Sequence, residues 1–580
     1  MAQPPIPKSG QHLWILPEKN PTLENAIIAE FGLPSGIAQI LIARGMKTLE
    51  EINEFLYAKL PNLFDPDLFP DMDKAVERIV KAATTKEPIL IYGDNDVDGM
   101  SAAALLTEFL RAIGATTYVD IPHRSTLKKN LMGDALEFAL ERKCTLLITV
   151  DCGITAAKEI EEVVKHGIDV IITDHHEPTA KIPHCIATLN PKLINSTYPN
   201  RELTGVGVAF KLTHAILNHL IEYETLDTSP IDLKRFLDLV ALGTIADMGA
   251  LKGENRILVR YGLNQMKTLQ RVGLTKLFQI SDLSPTNLSP VEIASKIAPR
   301  LNSLGRIADP IKGVELLLLR NAEEAEKLAL ELDLNNLERQ KIEREASSDI
   351  EGQIFQNPDI LQHKAIVLQS DKWHPGIIAI LSARIAKQYN RPTLILSLEE
   401  GIGKGSLRTI PEFPLLPILK QNEHLLINYG GHDYAAGLTI KEEHIPEFKK
   451  RFFAAAETSL KDPDVLPKIF LEAHVCFEDL TFDFLEALSL LKPFGNENPP
   501  PTLYCDVMQI WPPKIVGQYH LKLFLEQGDR MLEGIAFGLA YKRDLIRRKN
   551  IPLRIAFTPQ VNVFLNKASI QLQIKDFQPL

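Results

Sequence analysis

Asp94, Asp96 and Asp98 alternate through Asp94-Asn95-Asp96-Val97-Asp98-Gly99, directly after the apolar run Ile89-Leu90-Ile91-Tyr92. In extended chain alternate side chains point the same way, so three carboxylates aim at one spot. Massed like charge is costly unless a cation or strong donors answer it. An EF-hand calcium loop shares the first half of this pattern, but it needs a bidentate Glu at its twelfth position. Counted from Asp94, that position is Leu105. The flanks read as strand then helix, whereas an EF-hand has a helix on each side.

Three further segments repeat the design of an apolar strand ending in ligand-type residues. They are Thr149-Val150-Asp151-Cys152-Gly153, Ile172-Thr173-Asp174-His175-His176 and Thr244-Ile245-Ala246-Asp247. Taken singly, each has a bland explanation: Asp151 alone reads as a helix N-cap, and a His-His pair is more often structural than ligating. Four such segments together favour a metal centre. Carboxylates with one or two imidazoles suit Mn²⁺ or Mg²⁺ better than zinc, and the imidazole favours Mn²⁺. His175 and His176 cannot both point the same way in extended chain, so one ligates while the other supports it or faces substrate. This many carboxylates fit two ions about 4 Å apart with one Asp bridging them. The chemistry is hydrolysis of a phosphoester or pyrophosphate.

The elements that must position these groups alternate. Pro88–Ile91, Thr145–Val150 and Asp169–Thr173 read as strands, Met100–Ile113 and Ala156–Lys165 as helices, and Leu239–Ile245 as a further strand. Such alternation indicates a parallel sheet, whose ligands bind beyond the carboxyl ends of the strands. The whole chain, at 580 residues with 45% apolar and 24% charged, is a multidomain globular protein. A net charge of −10 argues weakly against non-specific nucleic-acid binding, although active-site carboxylates contribute to it. Five scattered cysteines without a CxxC pair speak for a reduced cytoplasm and against zinc. Neither a secretory leader nor a membrane-spanning run is read in the sequence.

The Asp174-His175-His176 triplet, with Asp96-Val97-Asp98, Asp151 and Asp247 around it, resembles the DHH phosphoesterase superfamily, and more closely its RecJ family of single-strand-specific exonucleases. The resemblance runs through Gly205-Val206-Gly207-Val208-Ala209, Ala241-Leu242-Gly243-Thr244-Ile245-Ala246-Asp247, Pro299-Arg300-Leu301-Asn302 and Glu338-Arg339-Gln340. It continues through Trp373-His374-Pro375-Gly376, Gly430-Gly431-His432, Ala435-Ala436-Gly437 and Pro493-Phe494-Gly495. It implies a processive 5′→3′ exonuclease that degrades single-stranded DNA to 5′-mononucleotides and serves repair and recombination. By the same likeness Asp96, Asp98, Asp151, His175 and Asp247 hold two divalent ions, with Asp151 bridging. Asp94 is a weaker ligand, and His176 sits beside the metals or the scissile phosphate.

Gly403-Lys404-Gly405-Ser406-Leu407-Arg408 reads either as a hairpin turn or as a phosphate loop of backbone N–H groups and guanidinium. The resemblance places Ser406 and Arg408 at the 5′-phosphate, with Arg124 in the same pocket. Leu407 stands where the family has glycine, and the family's Gly-Tyr-Gly after Arg124 is missing here. His374, His432, Arg300, Asn302, Arg306 and Gln340 are further substrate candidates, although Arg300 also reads as an ion-pair partner of the acidic centre. The implied architecture is α/β. An N-terminal helical region (1–75) precedes a parallel-sheet DHH domain (76–320), a long connecting helix (321–358), a second α/β domain of DHHA1 type (359–464) and an OB-like β-barrel (465–580). The two lobes are expected to form a cleft too narrow for duplex. The chain is expected to act as a monomer, with single-strand-binding protein and a helicase as partners. A small-substrate phosphoesterase and a non-catalytic DNA-binding scaffold are the competing readings. The length and terminal β domain count against the first, and the full set of ligand positions counts against the second.

Overall fold

Continuous β-branched and aliphatic runs build a five-stranded, all-parallel sheet. Its strands are β1 (Pro88–Gly93), β2 (Thr116–Asp120), β3 (Leu146–Val150), β4 (Asp169–Thr173) and β5 (Ala187–Leu189), in the order β2-β1-β3-β4-β5. Every residue of β3 is buried, as expected of a strand covered on both faces. Helices α1 (Val97–Ala112) and α2 (Ala157–Lys165) follow β1 and β3. The computed structural model describes residues 12–122, 131–229, 231–564 and 567–580, and Arg124 lies outside them. Two compact units are formed. One is Met46–Asn336 with Glu486–Pro500; the other is the chain up to Gly45 with Leu337–Leu485 and Pro501–Leu580.

In the first unit the sheet is joined by α3 (Gly205–Tyr223), α4 (Leu237–Ala246) and α5 (Gly253–Met266). The Leu239–Ile245 run, read above as a strand, is the body of α4. All residues from Leu237 to Ile245 are buried, Asp238 and Thr244 among them, so the helix is enclosed all round and shows neither helical nor strand periodicity in sequence.

Helix α6 (Ala322–Gln356) contributes residues to both units. Ala325, Ala329 and Leu332 enter the core of the first unit, while Ala346, Ile350 and Ile354 enter a core of the second.

The second unit holds a mixed sheet of β6 (Ile366–Ser370), β7 (Thr393–Glu399), β8 (Ile402–Arg408), β9 (Leu426–Gly431) and β10 (Ala435–Lys441), in the order β9-β10-β8-β7-β6. Helix α7 (Ile378–Tyr389) packs on β7 and β8. The C-terminal strands are β11 (Ala473–His474), β12 (Leu503–Gln509), β13 (Lys514–Val516), β14 (His520–Gln527), β15 (Arg530–Ala536), β16 (Ile551–Phe564) and β17 (Lys567–Pro579). Because β12 pairs with both β16 and β14, five of them close into a barrel, β12-β16-β17-β15-β14. Closure of five strands with a parallel β15–β17 pair is OB-like.

The 1–75 region divides between the units. Helix Ser35–Ala43 buries Ile37, Ile40 and Leu41 in the second unit, where Arg44 pairs with Glu472 at 2.7 Å, whereas helix Leu49–Tyr57 belongs to the first. Helical periodicity marks the apolar faces but not the partner each face will cover. Among the described residues no helix is long and apolar enough to cross a membrane.

Candidate active site

The strand order changes direction between β1 and β3, and that crevice is where ligands bind in open parallel sheets. Asp94, Asp96 and Asp98 leave the end of β1, Asp151 leaves β3, and Asp174-His175-His176 leave β4. Asp247 arrives from the C-terminus of α4 rather than from a strand. His175 Nε2 lies 3.1 Å from Asp151 Oδ1, 3.7 Å from Asp247 Oδ2 and 3.9 Å from Asp98 Oδ2. Asp94, Asp96 and Asp151 offer oxygens within 4.8 Å of one another. The six residues assigned to metal from sequence, together with His176, thus meet at one centre.

Backbone amides hold the carboxylates in place. Asp96 caps α1, its Oδ1 accepting from the N–H groups of Asp98 (3.0 Å) and Gly99 (3.2 Å). Asp98 is buried in the first turn of α1, and its oxygens accept from Gly205 N (2.7 Å) and Val206 N (3.0 Å) at the start of α3. A helix N-terminus favours such an anion. A Cβ on Gly205 would come within 2.5 Å of Asp151 Oδ1, and one on Gly243 within 2.6 Å of Asp98 Oδ1. Only glycine lets these two helices approach the carboxylates so closely. Asp151 itself takes a left-handed conformation, φ +61°.

Asp174 was placed at a strand end by the sequence but given no role, and the structure supplies one. Its Oδ1 accepts from His176 Nδ1 at 2.8 Å and from the backbone of His175 (2.7 Å) and His176 (3.0 Å). Its Oδ2 accepts from Ile154 N at 2.9 Å. His176 donates to Asp174, yet the two imidazoles lie side by side, with ring centroids 4.6 Å apart and a nitrogen of each within 4.8 Å of an Asp151 oxygen, so the neighbours do not diverge as extended chain predicts. The hydrogen bond His176 donates to Asp174 raises the His176 pKa to about 9, against the opposing effect of burial. Burial resists ionisation of Asp174, but the His176 hydrogen bond and charge hold it below the ordinary carboxylate value.

The other carboxylates move the opposite way. Burial, then the charges of Asp247 and Asp96, pushes Asp98 well above its ordinary pKa. Burial, then Asp98 and Asp96, does the same to Asp151. Asp247 rises to about 7, first from burial and then from Asp96. Asp151 Oδ1 is buried and accepts no hydrogen bond. A buried acceptor without a donor, inside a set of oxygen ligands and one imidazole, fits a hard divalent cation.

Of the substrate candidates in the first unit, Asn302 reaches the centre's framework: its Oδ1 accepts from Val97 N at 3.1 Å, in the first turn of α1. Arg300 pairs with Asp333 of α6 at 2.8 Å, and not with the acidic centre. Arg306 is half-buried. In the second unit Gln340 lies on α6, its carbonyl accepting from Arg344 Nε at 3.2 Å.

Residues 403–408 form neither a turn nor a phosphate loop; they are most of β8, hydrogen-bonded between β7 and β10. Leu407 is buried in the core, so it serves the strand's inner face while Ser406 and Arg408 lie on the other. Arg408 Nη1 donates to the Leu407 carbonyl (2.8 Å) and to Ser406 Oγ (3.3 Å). No carboxylate pairs with it among the described residues, and burial lowers its pKa. The β9–β10 turn carrying His432 lies beside it, since Ala435 pairs with Arg408 across strands. His374 is exposed, its Nδ1 accepting from Gly376 N at 3.0 Å ahead of α7.

Residues 88–244 match the family model for the DHH family, N-terminal domain; residues 362–458 match the DHHA1 domain and residues 471–576 the RecJ OB domain. The chain is 34% identical over 547 residues to the single-stranded-DNA-specific exonuclease RecJ of Bacillus subtilis (strain 168), covering 93% of this chain and 67% of that one. It is 30% identical over 569 residues to the protein of the same name from Escherichia coli (strain K12), covering 94% and 96%. Its fold superposes on the crystal structure of RecJ in complex with Mn²⁺ from Thermus thermophilus with a TM-score of 0.82. The two are 28% identical, and the match covers 98% of this chain and 80% of that one.

Proposed function

We propose that this chain, which belongs to the RecJ family of single-stranded-DNA-specific exonucleases, degrades single-stranded DNA from its 5′ end to 5′-mononucleotides. The observation that carries the reading is the convergence of Asp98, Asp151, His175 and Asp247 around a buried Asp151 oxygen that accepts no hydrogen bond. Asp96, Asp98, Asp151, His175 and Asp247 would hold two divalent ions, with Asp151 between them and Asp94 contributing. Mn²⁺ is favoured over Mg²⁺ because an imidazole belongs to the set. When bound, such ions polarise a phosphoryl oxygen and lower the pKa of water.

The chain's own groups do the rest. Asp174 orients His176 through its Nδ1, so His176 is placed to offer a ring N–H to a non-bridging phosphate oxygen. The start of α3 fixes Asp98, and Asn302 fixes the turn that carries Asp96 and Asp98. Ser406, Arg408, His374 and His432 are assigned to phosphate of the substrate. Arg408 supplies a half-buried guanidinium without a carboxylate partner among the described residues. Arg306 and Gln340 are assigned to the strand. The enzyme is proposed to work as a cytoplasmic monomer in repair and recombination, on strands presented by single-strand-binding protein and a helicase.

Digestion of 5′- and 3′-labelled single- and double-stranded DNA with Mn²⁺, Mg²⁺ or EDTA tests the reading. The 5′ label is expected to leave first, as a mononucleotide, from single strands only, and EDTA is expected to abolish the release. Release from the 3′ end, equal attack on duplex, or activity in EDTA would contradict it.

A further inference from the structure

Met248 directly follows Asp247 at the end of α4 and holds a left-handed backbone, φ +59°. Glycine enters that region at no steric cost, whereas a Cβ there crowds the chain. Helices often end on such a residue, and it is usually glycine. Among the described residues other than glycine with a left-handed φ, Met248 and Leu269 are the apolar ones, and the rest are polar or charged. Asp151 is another of them, so strained backbone occurs twice at the metal-directed centre, and such strain gathers at functional sites.

The fold fixes this conformation from both sides. Met248 N donates to the Ile245 carbonyl (3.2 Å) and Gly249 N to the Thr244 carbonyl (2.9 Å), which closes the last turn of α4. Asn496 Nδ2 donates to the Met248 carbonyl at 2.5 Å. The neighbouring glycine serves packing instead: a Cβ on Gly249 would come within 2.6 Å of Thr204 Cγ2 and 3.0 Å of Thr244 Cγ2. These contacts are made by backbone or by other side chains, and none of them uses a side chain at 248.

Nor does the Met248 side chain serve the core. It is 58% exposed and stands outside the apolar cluster that encloses α4. A lone exposed methionine is ordinary on a protein surface. This one lies next in the chain to a carboxylate whose oxygen is 3.7 Å from His175 Nε2, on backbone that favours glycine. A side chain kept at a cost to the fold, beside the reacting centre and open to solvent, has its use outside the fold.

We infer that Met248 is a substrate contact, its thioether packing against a nucleobase of one of the two nucleotides joined by the scissile phosphate. Sulfur meets the edge of an aromatic ring favourably, and an unbranched side chain adapts to rings of different size. Both properties suit a strand whose base changes with every nucleotide released. A hydrogen-bonding side chain would instead read particular bases. The inference rests on the nuclease reading and adds to it a contact made without charge and without a metal-directed group.

The test is single-turnover release of the first nucleotide from a 5′-labelled strand by the full chain in Mn²⁺, with enzyme in excess. In Met248→Gly the enzyme concentration for half-maximal release is expected to rise about three- to tenfold. The maximal rate and the Mn²⁺ affinity should hold, with no fall in the thermal midpoint, because glycine suits the backbone. Met248→Leu should recover most of the loss. On a strand without bases at its first two nucleotides, the unmodified protein and Met248→Gly should need the same concentration. Three results would overturn the inference: equal concentrations on the normal strand, a difference that persists undiminished on the abasic strand, or weakened Mn²⁺ binding in Met248→Gly, which would make Met248 a support for Asp247. Failure of the unmodified protein to release any nucleotide would contradict the nuclease reading first, so the two failures are told apart.

Discussion

Asp576 in the C-terminal barrel and Asp151 at the end of β3 are both buried carboxylates, yet their surroundings are opposite in sign. Asp576 receives Lys542 Nζ at 2.5 Å, Trp14 Nε1 at 3.0 Å and His12 Nδ1 at 3.1 Å. Burial resists its charge, but these donors hold its pKa below the ordinary value. Asp151 has other carboxylates and the His175 imidazole (3.1 Å) for neighbours, an oxygen that accepts no hydrogen bond, and a pKa pushed well up. The first carboxylate is completed by the fold, whereas the second is incomplete without a cation. Arg408 is the cationic counterpart, half-buried with no carboxylate partner among the described residues. Charges that the fold leaves unanswered mark where ligands belong more reliably than charge counts do, and the many paired ions of this chain carry no such signal.

Exchanging the two roles tests the comparison most severely. Asp151→Asn is expected to reduce nuclease turnover by about 10³-fold or more, and to raise the thermal midpoint in EDTA because a like charge is removed. Asp576→Asn is expected to do the reverse: about 3–5 kcal/mol of stability is lost as Lys542 is left buried without its partner, with Mn²⁺ affinity unchanged. Calorimetry of both variants, with and without Mn²⁺, checks this. Loss of stability in Asp151→Asn without metal would remove the distinction.

The pH dependence of the metal-free protein sharpens it. Asp247 has a pKa of about 7 in the fold, so between its ordinary value and 7 the folded chain keeps a proton that the unfolded chain has lost. Stability therefore falls as pH rises through about 7, and Asp98 and Asp151 act in the same direction. Mn²⁺ should reverse the slope, because binding tightens as ligands deprotonate. Thermal midpoints from pH 5 to 8, in EDTA and in Mn²⁺, give the sign directly.

A smaller effect is expected at Asp174, which touches no metal-directed oxygen but orients both histidines. Asp174→Asn should cost about 10–100-fold in Mn²⁺ affinity or turnover. It should also bring the His176 titration down from about 9 towards its ordinary value, which NMR can follow. The mildest change is expected from Arg408→Ala. It should weaken preference for a 5′-phosphorylated end about tenfold, with little change at saturating substrate. Competition between phosphorylated and unphosphorylated 5′ ends measures it.

Much of the centre was legible because its signals are local. Alternate carboxylates after an aliphatic run place Asp94, Asp96 and Asp98 together, and β1, β3 and β4 stand where their β-branched runs lie. What stayed hidden depends on tertiary surroundings. Helix α4 is buried all round, which erases the period that separates helix from strand, yet Asp247 still arrives at the centre. Two glycines beside Lys404 and Arg408 imitate a turn in what proves to be the central strand β8. Arg300 finds Asp333 on a helix 33 residues away, and Asn302 finds a backbone amide 205 residues away, neither of which leaves a mark in local spacing. The role of Asp174 was within reach, since a carboxylate directly ahead of two histidines can orient either ring.

Crystals grown with Mn²⁺ and measured at the manganese absorption edge test the central claim most directly. Two anomalous peaks are predicted, flanking Asp151 and bounded by Asp96, Asp98, His175 and Asp247. Anomalous density elsewhere on the chain, with none against Asp151, would contradict the account.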